Sequence, residues 1–201
     1  MEIKINKPSE KEVNKYLKRW DSLETYTLQE SSLRKLFTKT YPKNENMDDI
    51  LIKVCSLNDF YSTNIFSPFK VAKHIFSLKI DARLPKGDEK LVNEIANIKV
   101  AKNRSINFYS FATKYCSHHQ PLLYPIYDNY VIKVLSYFKK LDKFSNFTLK
   151  ELKNYPKFKK VILDFKTFYN LDKFNLKEID MYLWQVGKEK FPRKYIKKGT
   201  K

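Results

Sequence analysis

Apolar residues recur every three or four positions along most of the chain, which is the spacing of one face of an α-helix. Seven segments carry such a stripe: Val13, Tyr16, Leu17 and Trp20; Ile50, Val54, Leu57 and Tyr61; Val71, Ala72 and Ile75; Phe108, Phe111, Ala112 and Tyr115; Val131, Val134, Leu135 and Phe138; Phe158, Val161, Ile162, Phe165, Phe168 and Tyr169; and Ile179, Leu183 and Val186. Together with a shorter stretch at residues 88–98, the pattern predicts eight or nine helices.

Polar pairs mark where several helices are predicted to begin. In a capping box, a side-chain oxygen and a carboxylate three residues later satisfy free backbone N–H groups. That spacing is found for Ser9 with Glu12, Thr27 with Glu30, Thr148 with Glu151, and Asn175 with Glu178. Ser67 precedes Pro68, and proline suits the first position of a helix.

Glycine is scarce, since Gly87, Gly187 and Gly199 are the only three in 201 residues. A dinucleotide-binding fingerprint and a P-loop both need closely spaced glycines, so neither can be built from these positions. Many-stranded sandwiches and barrels also use glycine in their tight turns. The chain is therefore predicted to be all-α, with one domain over residues 1–192 and a basic tail at 193–201.

The chain is strongly basic, with 40 Lys and Arg against 22 Asp and Glu and a net charge of +18. Half of that excess lies in residues 142–201, less than a third of the chain. Such a charge favours a nucleic acid as partner. Cys55 and Cys116 are too few for a disulfide framework or a cysteine-only metal site, so we expect no metal and no cofactor. With no apolar run of about 18 residues and no signal-like start, we expect no membrane association and a cytoplasmic location.

The segment from Asn103 to Tyr130 holds the densest group of chemically useful side chains. It is predicted to form a helix, a proline-containing loop and the start of the next helix. Opposite the apolar stripe, the first helix would present a polar face without acidic residues, which suits phosphates or base edges, although a solvated face is the more common explanation. That face comprises Asn103, Asn107, Ser110, Lys114 and Ser117, and Arg104 and Tyr127 in the same segment are further candidates for nucleic-acid binding.

His118 and His119 follow Cys116 at the end of this predicted helix. These residues could contribute to a metal site, but a fourth ligand is not evident. Either histidine has the ordinary pKa of a general base for RNA cleavage. The structural alternative is a pair of exposed histidines at a helix C-terminus, where the helix dipole favours positive charge.

Asp128 stands immediately before the apolar stripe that starts at Val131, the place of a helix N-cap. Its approach, Tyr124-Pro125-Ile126-Tyr127, is apolar and aromatic, and would bring the carboxylate to the base of a groove. A carboxylate there could orient a water molecule or stabilise an oxocarbenium ion while a bond between sugar and base breaks.

The segments SFATKYCSHH and YPIYDNYV resemble the catalytic region of the helix-hairpin-helix DNA glycosylase superfamily, of the endonuclease III and 8-oxoguanine glycosylase type. Together with LNDFYSTNI (57–65) and DMYLWQVGK (180–188), they are also similar to a family of largely uncharacterised bacterial proteins related to that superfamily. The resemblance implies an all-helical, two-lobed fold with DNA in the cleft, and it implies that Asp128 is the catalytic aspartate. It also suggests Asn58, Tyr61 and Asn64 as residues that contact the duplex where a base is flipped, although the asparagines could instead cap a helix end and a loop.

Two departures from the superfamily bear on the chemistry. The region that matches its Gly-x-Gly hairpin, Val100 to Asn107, contains no glycine, so the hairpin is altered or absent. Phe108 occupies the register of the Schiff-base lysine of bifunctional members. Lys114 is the nearest lysine, but we expect it on the flank of its helix with an amine that is not buried, and we therefore expect a monofunctional enzyme.

The sequence thus favours a DNA glycosylase-like enzyme that cleaves the N-glycosidic bond of a flipped modified or damaged base. A catalytically silent nucleic-acid-binding protein of the same fold is the alternative, followed by an RNase-type toxin that uses His118 or His119. DNA is the expected partner, with the protein a monomer associated with the nucleoid. The recognised base, and a role in repair or in defence against modified phage DNA, stay open.

Overall fold

The computed structural model of the chain describes residues 3–101 and 104–192. These residues form nine α-helices and one two-stranded antiparallel sheet, in the order α1 (Glu10–Trp20), α2 (Glu24–Lys35), α3 (Met47–Tyr61), α4 (Pro68–Ser77), α5 (Lys90–Ala96), β1 (Asn97–Ala101), β2 (Arg104–Asn107), α6 (Tyr109–His119), α7 (Asn129–Asp142), α8 (Tyr155–Phe168) and α9 (Leu176–Lys190). The prediction of a mainly helical chain is confirmed, although a π-helix at Leu36–Thr40 follows α2 and brings the helices to one more than the predicted eight or nine. The basic tail at 193–201 lies outside the described residues.

Local capping signals located some helix starts correctly and others not. Ser9 caps α1 by accepting the N–H of Glu12, and Asn175 forms a complete capping box at α9. Thr27, in contrast, lies inside α2, where its hydroxyl donates to the Leu23 carbonyl of the preceding turn. The pairing of Thr148 with Glu151 forms, but a 3₁₀ turn of three residues follows it, and α8 begins only at Tyr155.

A hairpin occupies the region where the sequence analysis placed the start of a helix. In β1 and β2, Ile98 pairs with Ile106 and Asn97 with Asn107, and α6 begins only at Tyr109. The all-α prediction was therefore wrong here. Isoleucines that face each other across a strand pair favour a sheet, because their branched side chains pack well on a pleated surface.

Helix α6 passes through the centre of the protein. It contacts α2, α3 and α5, and every one of its residues except Ser110 is buried. A helix enclosed on all sides cannot keep a solvated polar face. The predicted polar face is thus divided: Asn107 lies on β2, while Lys114 and Ser117 are in the interior.

Helices α7 and α9 approach each other closely at Gly187. A Cβ atom built on Gly187 would lie 2.5 Å from the carbonyl oxygen of Tyr130, so only glycine fits at this crossing. We expect Gly187→Ala to lower the free energy of unfolding by about 1–3 kcal/mol, because the methyl group forces two helix backbones apart. Urea unfolding measures this change, and a variant as stable as the wild type would show that the helices separate at no cost.

In the part of the chain described here, no helix has both the length and the apolar character needed to cross a membrane.

Candidate functional site

A cavity of about 640 Å³ lies where six helices meet. Its walls come from α1, α2, α3, α6, α7 and α9, from the loop that follows α3 and from the segment that leads into α7. Pockets for small molecules have volumes of roughly 300–1,000 Å³, so this cavity is large enough for a nucleobase and its sugar.

Lys114 reaches the cavity from the central helix α6, and its side chain is nearly enclosed, with 3% of the residue exposed. Its Nζ atom donates to the hydroxyl of Ser110 at 2.7 Å and lies 3.9 Å from Oδ2 of Asp128. The ring of Tyr61 packs beside the amine, 5.1 Å from Nζ to the ring centroid. The hydroxyl of Ser110 donates in turn to the carbonyl oxygen of Tyr127 at 3.1 Å. The amine is therefore held in one place by its neighbours.

Burial lowers the pKa of Lys114 below its ordinary value, and the nearby carboxylates of Asp128 and Asp180 offset only part of that effect. A lysine with a lowered pKa is more often neutral near pH 7 and can then act as a nucleophile. The expectation that this amine is not buried was wrong, because α6 is enclosed on every side. The argument for a monofunctional enzyme, which depended on that expectation, loses its basis.

Asp128 has both the predicted structural role and a place in the cavity wall. It is the N-cap of α7, with an extended backbone and with Oδ1 accepting the N–H of Tyr130 at 2.8 Å. The other oxygen, Oδ2, is directed to Lys114. One oxygen therefore holds the helix start, while the other can stabilise positive charge in the cavity.

The segment that leads to Asp128 is fixed from two sides. The N–H of Ile126 donates to Asp180 Oδ2 at 2.7 Å, and the N–H of Tyr127 donates to the hydroxyl of Thr113 at 3.2 Å. These two bonds join the loop to α9 and α6, and they set the position of Asp128 relative to Lys114.

Asp180 is the most perturbed carboxyl group of the cavity. Burial raises its pKa to about 7, against the opposing effects of the Ile126 N–H and Lys177. Its second oxygen, Oδ1, is enclosed and has no hydrogen-bond partner within residues 3–101 and 104–192. A buried polar atom without a partner is costly, and such atoms occur often at functional sites.

Aromatic rings form one side of the cavity. The ring of Trp184 lies 4.9 Å from that of Tyr26, 5.9 Å from that of Trp20 and 6.3 Å from that of Tyr130, measured between centroids. The ammonium of Lys188 lies 3.9 Å from the centroid of Tyr26. Aromatic surfaces of this kind stack on the flat faces of nucleobases.

A partly buried ion pair completes the wall between α2 and α9. Nζ of Lys177 lies 2.7 Å from Oε1 of Glu30. Burial disfavours the charged form of Glu30, but the charge and hydrogen bond of Lys177, together with His118 and Arg34, outweigh burial and lower the pKa of Glu30. Glu30 therefore stays ionised at neutral pH.

His118 and His119 do not lie at an exposed helix end, as was expected, but are buried. Nε2 of His118 is 3.0 Å from the hydroxyl of Tyr61, and burial lowers the pKa of His118 to about 4. Nε2 of His119 is 3.3 Å from the Asn44 side-chain amide, and burial places its pKa well below the ordinary value. Side chains that are enclosed and neutral cannot contact phosphates, so the proposed roles in nucleic-acid binding and RNA cleavage lose their basis.

Cys116, which could have joined these histidines in a metal site, is also buried, and burial raises the pKa of its thiol. Over the residues that the structure describes, no group of three or more His, Cys, Asp or Glu side chains is arranged to hold a metal ion.

Asn58 holds the loop after α3, which is the structural alternative to a contact with the duplex. Its Oδ1 accepts the N–H of Ile65 at 2.9 Å and the hydroxyl of Thr63 at 2.8 Å, and its Nδ2 donates to the carbonyl of Ile65 at 3.2 Å. These bonds close the loop after α3, and both polar atoms of the Asn58 side chain take part in them. Tyr61 and Asn64 do line the cavity, as a role near a flipped base requires.

The other candidates lie away from the cavity. Tyr127 packs on Tyr109, with ring centroids 4.9 Å apart, and Arg104 is exposed on β2. The side-chain amide of Asn107 donates to Asn97 across the hairpin at 2.7 Å. Asn103, the remaining candidate, lies outside the described residues.

Sequence reasoning missed most of the cavity wall. Asp180, Trp184 and Lys188 recur at every fourth residue of α9 and so share one face of that helix. This spacing, with a carboxylate among large aromatic residues, was the available signal. Tyr26 and Glu30 show the same spacing on α2, but nothing in the local sequence indicates that the two helices face one cavity.

The fold and the site define a basic, mainly helical protein with an aromatic cavity whose wall carries three lysines and three carboxyl groups, among them Lys114, Asp128 and Asp180. The chain belongs to the family of the HI_0787 N-terminal domain, whose model matches residues 12–123, more than half of the chain. It is 51% identical over 148 residues to an uncharacterised protein of Haemophilus influenzae, with 73% of this chain and 70% of that protein covered. No solved structure matches the chain.

Proposed function

We propose that the chain is a DNA glycosylase-like enzyme, which draws a modified or damaged nucleotide out of duplex DNA and cleaves its N-glycosidic bond. One observation carries this proposal: the buried amine of Lys114 lies 3.9 Å from the carboxylate of Asp128 at the wall of a cavity of nucleobase size. An amine with a lowered pKa beside a carboxylate is the pair that attack on a sugar carbon requires.

The chemistry follows from the two groups. As the N-glycosidic bond breaks, the bonding electrons leave with the base, and C1′ of the sugar becomes electron-poor. The carboxylate of Asp128 stabilises that positive charge, as in glycoside hydrolysis. The neutral amine of Lys114 then forms a bond to C1′ and gives up one proton. The bond between C1′ and the ring oxygen O4′ breaks, its electrons go to O4′, which takes a proton, and C1′ and the lysine nitrogen are left as a protonated Schiff base with the opened sugar. The enzyme is in this respect proposed to be bifunctional, in place of the monofunctional enzyme expected from the sequence.

The rest of the cavity suits the departing base. Trp184 and Tyr26 present aromatic surfaces for stacking, and a flipped base is commonly read by such surfaces together with a few polar groups. The two-lobed arrangement implied by the resemblance, with DNA in a cleft, would bring the duplex to the mouth of this cavity.

Base release from synthetic duplexes tests the proposal. A panel of duplexes, each with one oxidised, alkylated, deaminated or phage-type modified base, is incubated with the protein, and the free base is measured by mass spectrometry. We expect release from at least one member. A protein that binds these duplexes but releases no base from any of them would favour the silent binding protein.

DNA binding should depend steeply on salt, because a net charge of +18 displaces counterions from the phosphates. If about six phosphates are contacted, the affinity should fall about a thousandfold between roughly 50 and 200 mM salt. Fluorescence anisotropy with an unmodified duplex measures this slope. A slope near zero, or no binding at low salt, would contradict both the enzyme and the binding-protein proposals.

The catalytically silent binding protein is the second candidate, and the hairpin β1–β2 favours it. A strand occupies Arg104–Asn107, where the superfamily has a glycine-bearing turn whose backbone amides hold a phosphate. Without those amides, the duplex must be anchored by other groups.

A further inference from the structure

His118 is a buried histidine that the proposed chemistry does not use, although it follows Lys114 by four residues on α6. Residues four apart lie on the same face of a helix, so both side chains share the face of α6 that meets the end of α3. The ring of His118 packs against the rings of Phe37 and Tyr61, with centroid distances of 5.5 Å and 5.7 Å. Its direction is therefore fixed by its neighbours.

Tyr61 connects His118 with Lys114. Its hydroxyl lies 3.0 Å from Nε2 of His118, and the centroid of its ring lies 5.1 Å from Nζ of Lys114. Tyr61 is the last residue of α3, and Ser62 follows it as a C-cap with a left-handed backbone. The tyrosine is thus held at its backbone by the end of α3 and at its hydroxyl by His118. Both constraints keep the ring beside the amine.

We propose that His118 is a positioning residue for Lys114: by holding the ring of Tyr61 against the amine, it keeps water away from that amine and keeps the amine directed to Asp128. For its effect on the reaction, this inference rests on the proposed function, because it presupposes that Lys114 attacks the sugar. An amine that is shielded from water loses its proton more readily and is then a nucleophile.

Two carboxyl groups face the amine and oppose the effect of this shielding. Asp128, before α7, and Asp180, on α9, favour the charged form of Lys114, but burial disfavours that form more strongly, and the pKa of Lys114 is lowered. Burial raises the pKa of Asp180 to about 7, so this group gains its charge in the neutral range and then holds the proton on Lys114 more firmly. The amine therefore stays easily deprotonated only while water is excluded from it.

Tyr61 and His118 keep one charge state through the neutral range. Burial raises the pKa of Tyr61 well above its ordinary value, and burial lowers the pKa of His118 to about 4. Glu30 on α2 and Lys177 on α9 act on His118 with opposite signs and do not outweigh burial. The phenol is protonated and the imidazole neutral at pH 7, so the two groups act on Lys114 through their packing, without a charge of their own.

The titration of Lys114 in the free protein tests this inference without DNA. NMR follows lysine side chains that are isotope-labelled at Cε as the pH is raised, and the signal of Lys114 is the one that is missing from Lys114→Gln. We expect a wild-type midpoint below the ordinary value of 10.5. Tyr61→Phe, which removes only the hydroxyl oxygen, and His118→Leu should each raise the midpoint by about one pH unit, which leaves about tenfold less neutral amine at neutral pH. His118→Gln, whose amide can still bond to the hydroxyl, should keep most of the wild-type value.

Tyr169→Phe is the matched control, because it also removes a tyrosine hydroxyl, one that donates to Asp142 at 2.6 Å outside the cavity. It should leave the midpoint of Lys114 unchanged. With a cleavable duplex, Tyr61→Phe and His118→Leu should release base about tenfold more slowly in a single turnover near neutral pH, with DNA affinity changed less than about threefold. The pH of half-maximal trapping of the Schiff base by borohydride should rise together with the midpoint.

A wild-type midpoint near 10.5 would overturn the inference. A midpoint that stays the same in Tyr61→Phe and His118→Leu would also overturn it, while base release by the wild type would still support the enzyme. Raised midpoints in both variants, with no base release from any duplex, would instead contradict the proposed enzyme and leave the positioning of Lys114 standing. Circular dichroism checks the fold of each variant. If the His118 variants unfold, Tyr61→Phe alone decides, because it breaks the same bond with the loss of one atom.

Discussion

Asp128→Asn is expected to reduce base release at least about a hundredfold while the protein stays folded and binds DNA as before. Asparagine caps a helix about as well as aspartate, so its side-chain oxygen can keep the bond to the N–H of Tyr130. What the variant loses is the negative charge of Oδ2, which faces Lys114 and the reacting sugar. Single-turnover base release, the melting temperature and DNA affinity together separate the chemical role from the structural one.

A matched control for this substitution is Asp172→Asn, which removes an exposed carboxylate outside the cavity. It should release base at the wild-type rate. Full activity of Asp128→Asn would leave Asp128 as a helix cap and nothing more. A large fall in melting temperature would mean that the cap itself depends on the charge, and Asp128→Ser, which also caps, would then be compared.

The role of Asp128 as a cap could be predicted because it depends on neighbours in the sequence. The same holds for Ser9 and for the capping box at Asn175, each of which satisfies backbone N–H groups within three residues. Thr27 shows the limit of such signals, since α2 begins at Glu24 and its hydroxyl bonds within the helix.

The burial of α6 could not be predicted in the same way. A central helix is enclosed by elements that are distant in the sequence, and its polar residues find partners only once these have assembled. His119, for example, is placed against Asn44, 75 residues earlier. The polar residues on one face of α6 therefore suggested that this face is exposed to solvent, although Lys114 and Ser117 lie in the interior.

Buried polar clusters outside the cavity could not be predicted from the local sequence either. Lys53 lies on α3 and is fully buried, with its ammonium bonded to the carbonyl oxygens of Tyr41 and Lys43 and to the side chain of Asn44. Burial lowers the pKa of Lys53 to about 8. Nothing in the local pattern distinguishes this lysine from an exposed one, because its acceptors, two backbone carbonyls and one side-chain oxygen, belong to an irregular segment.

The second large effect that we expect is the loss of covalent trapping when Lys114 is replaced. Borohydride reduces a Schiff base to a stable amine, so its addition during reaction with a cleavable duplex should trap a covalent complex of protein and DNA. Lys114→Gln should abolish this complex, because the nucleophile is gone. Lys188→Gln, which removes another lysine of the same cavity, should still form it. Denaturing gel electrophoresis of labelled duplex detects the complex.

The dependence of trapping on pH gives an independent measurement, and its sign follows from the pKa of Lys114. Only the neutral amine attacks, so the rate rises with pH while the amine is losing its proton and levels off above its pKa. Because burial lowers that pKa, the plateau should begin below the ordinary lysine value of 10.5. If the released base appears without any trapped complex, water is the nucleophile, and the enzyme is monofunctional, with Lys114 holding Asp128 in place. If trapping persists in Lys114→Gln, another amine attacks the sugar, and the assignment of the buried lysine is wrong.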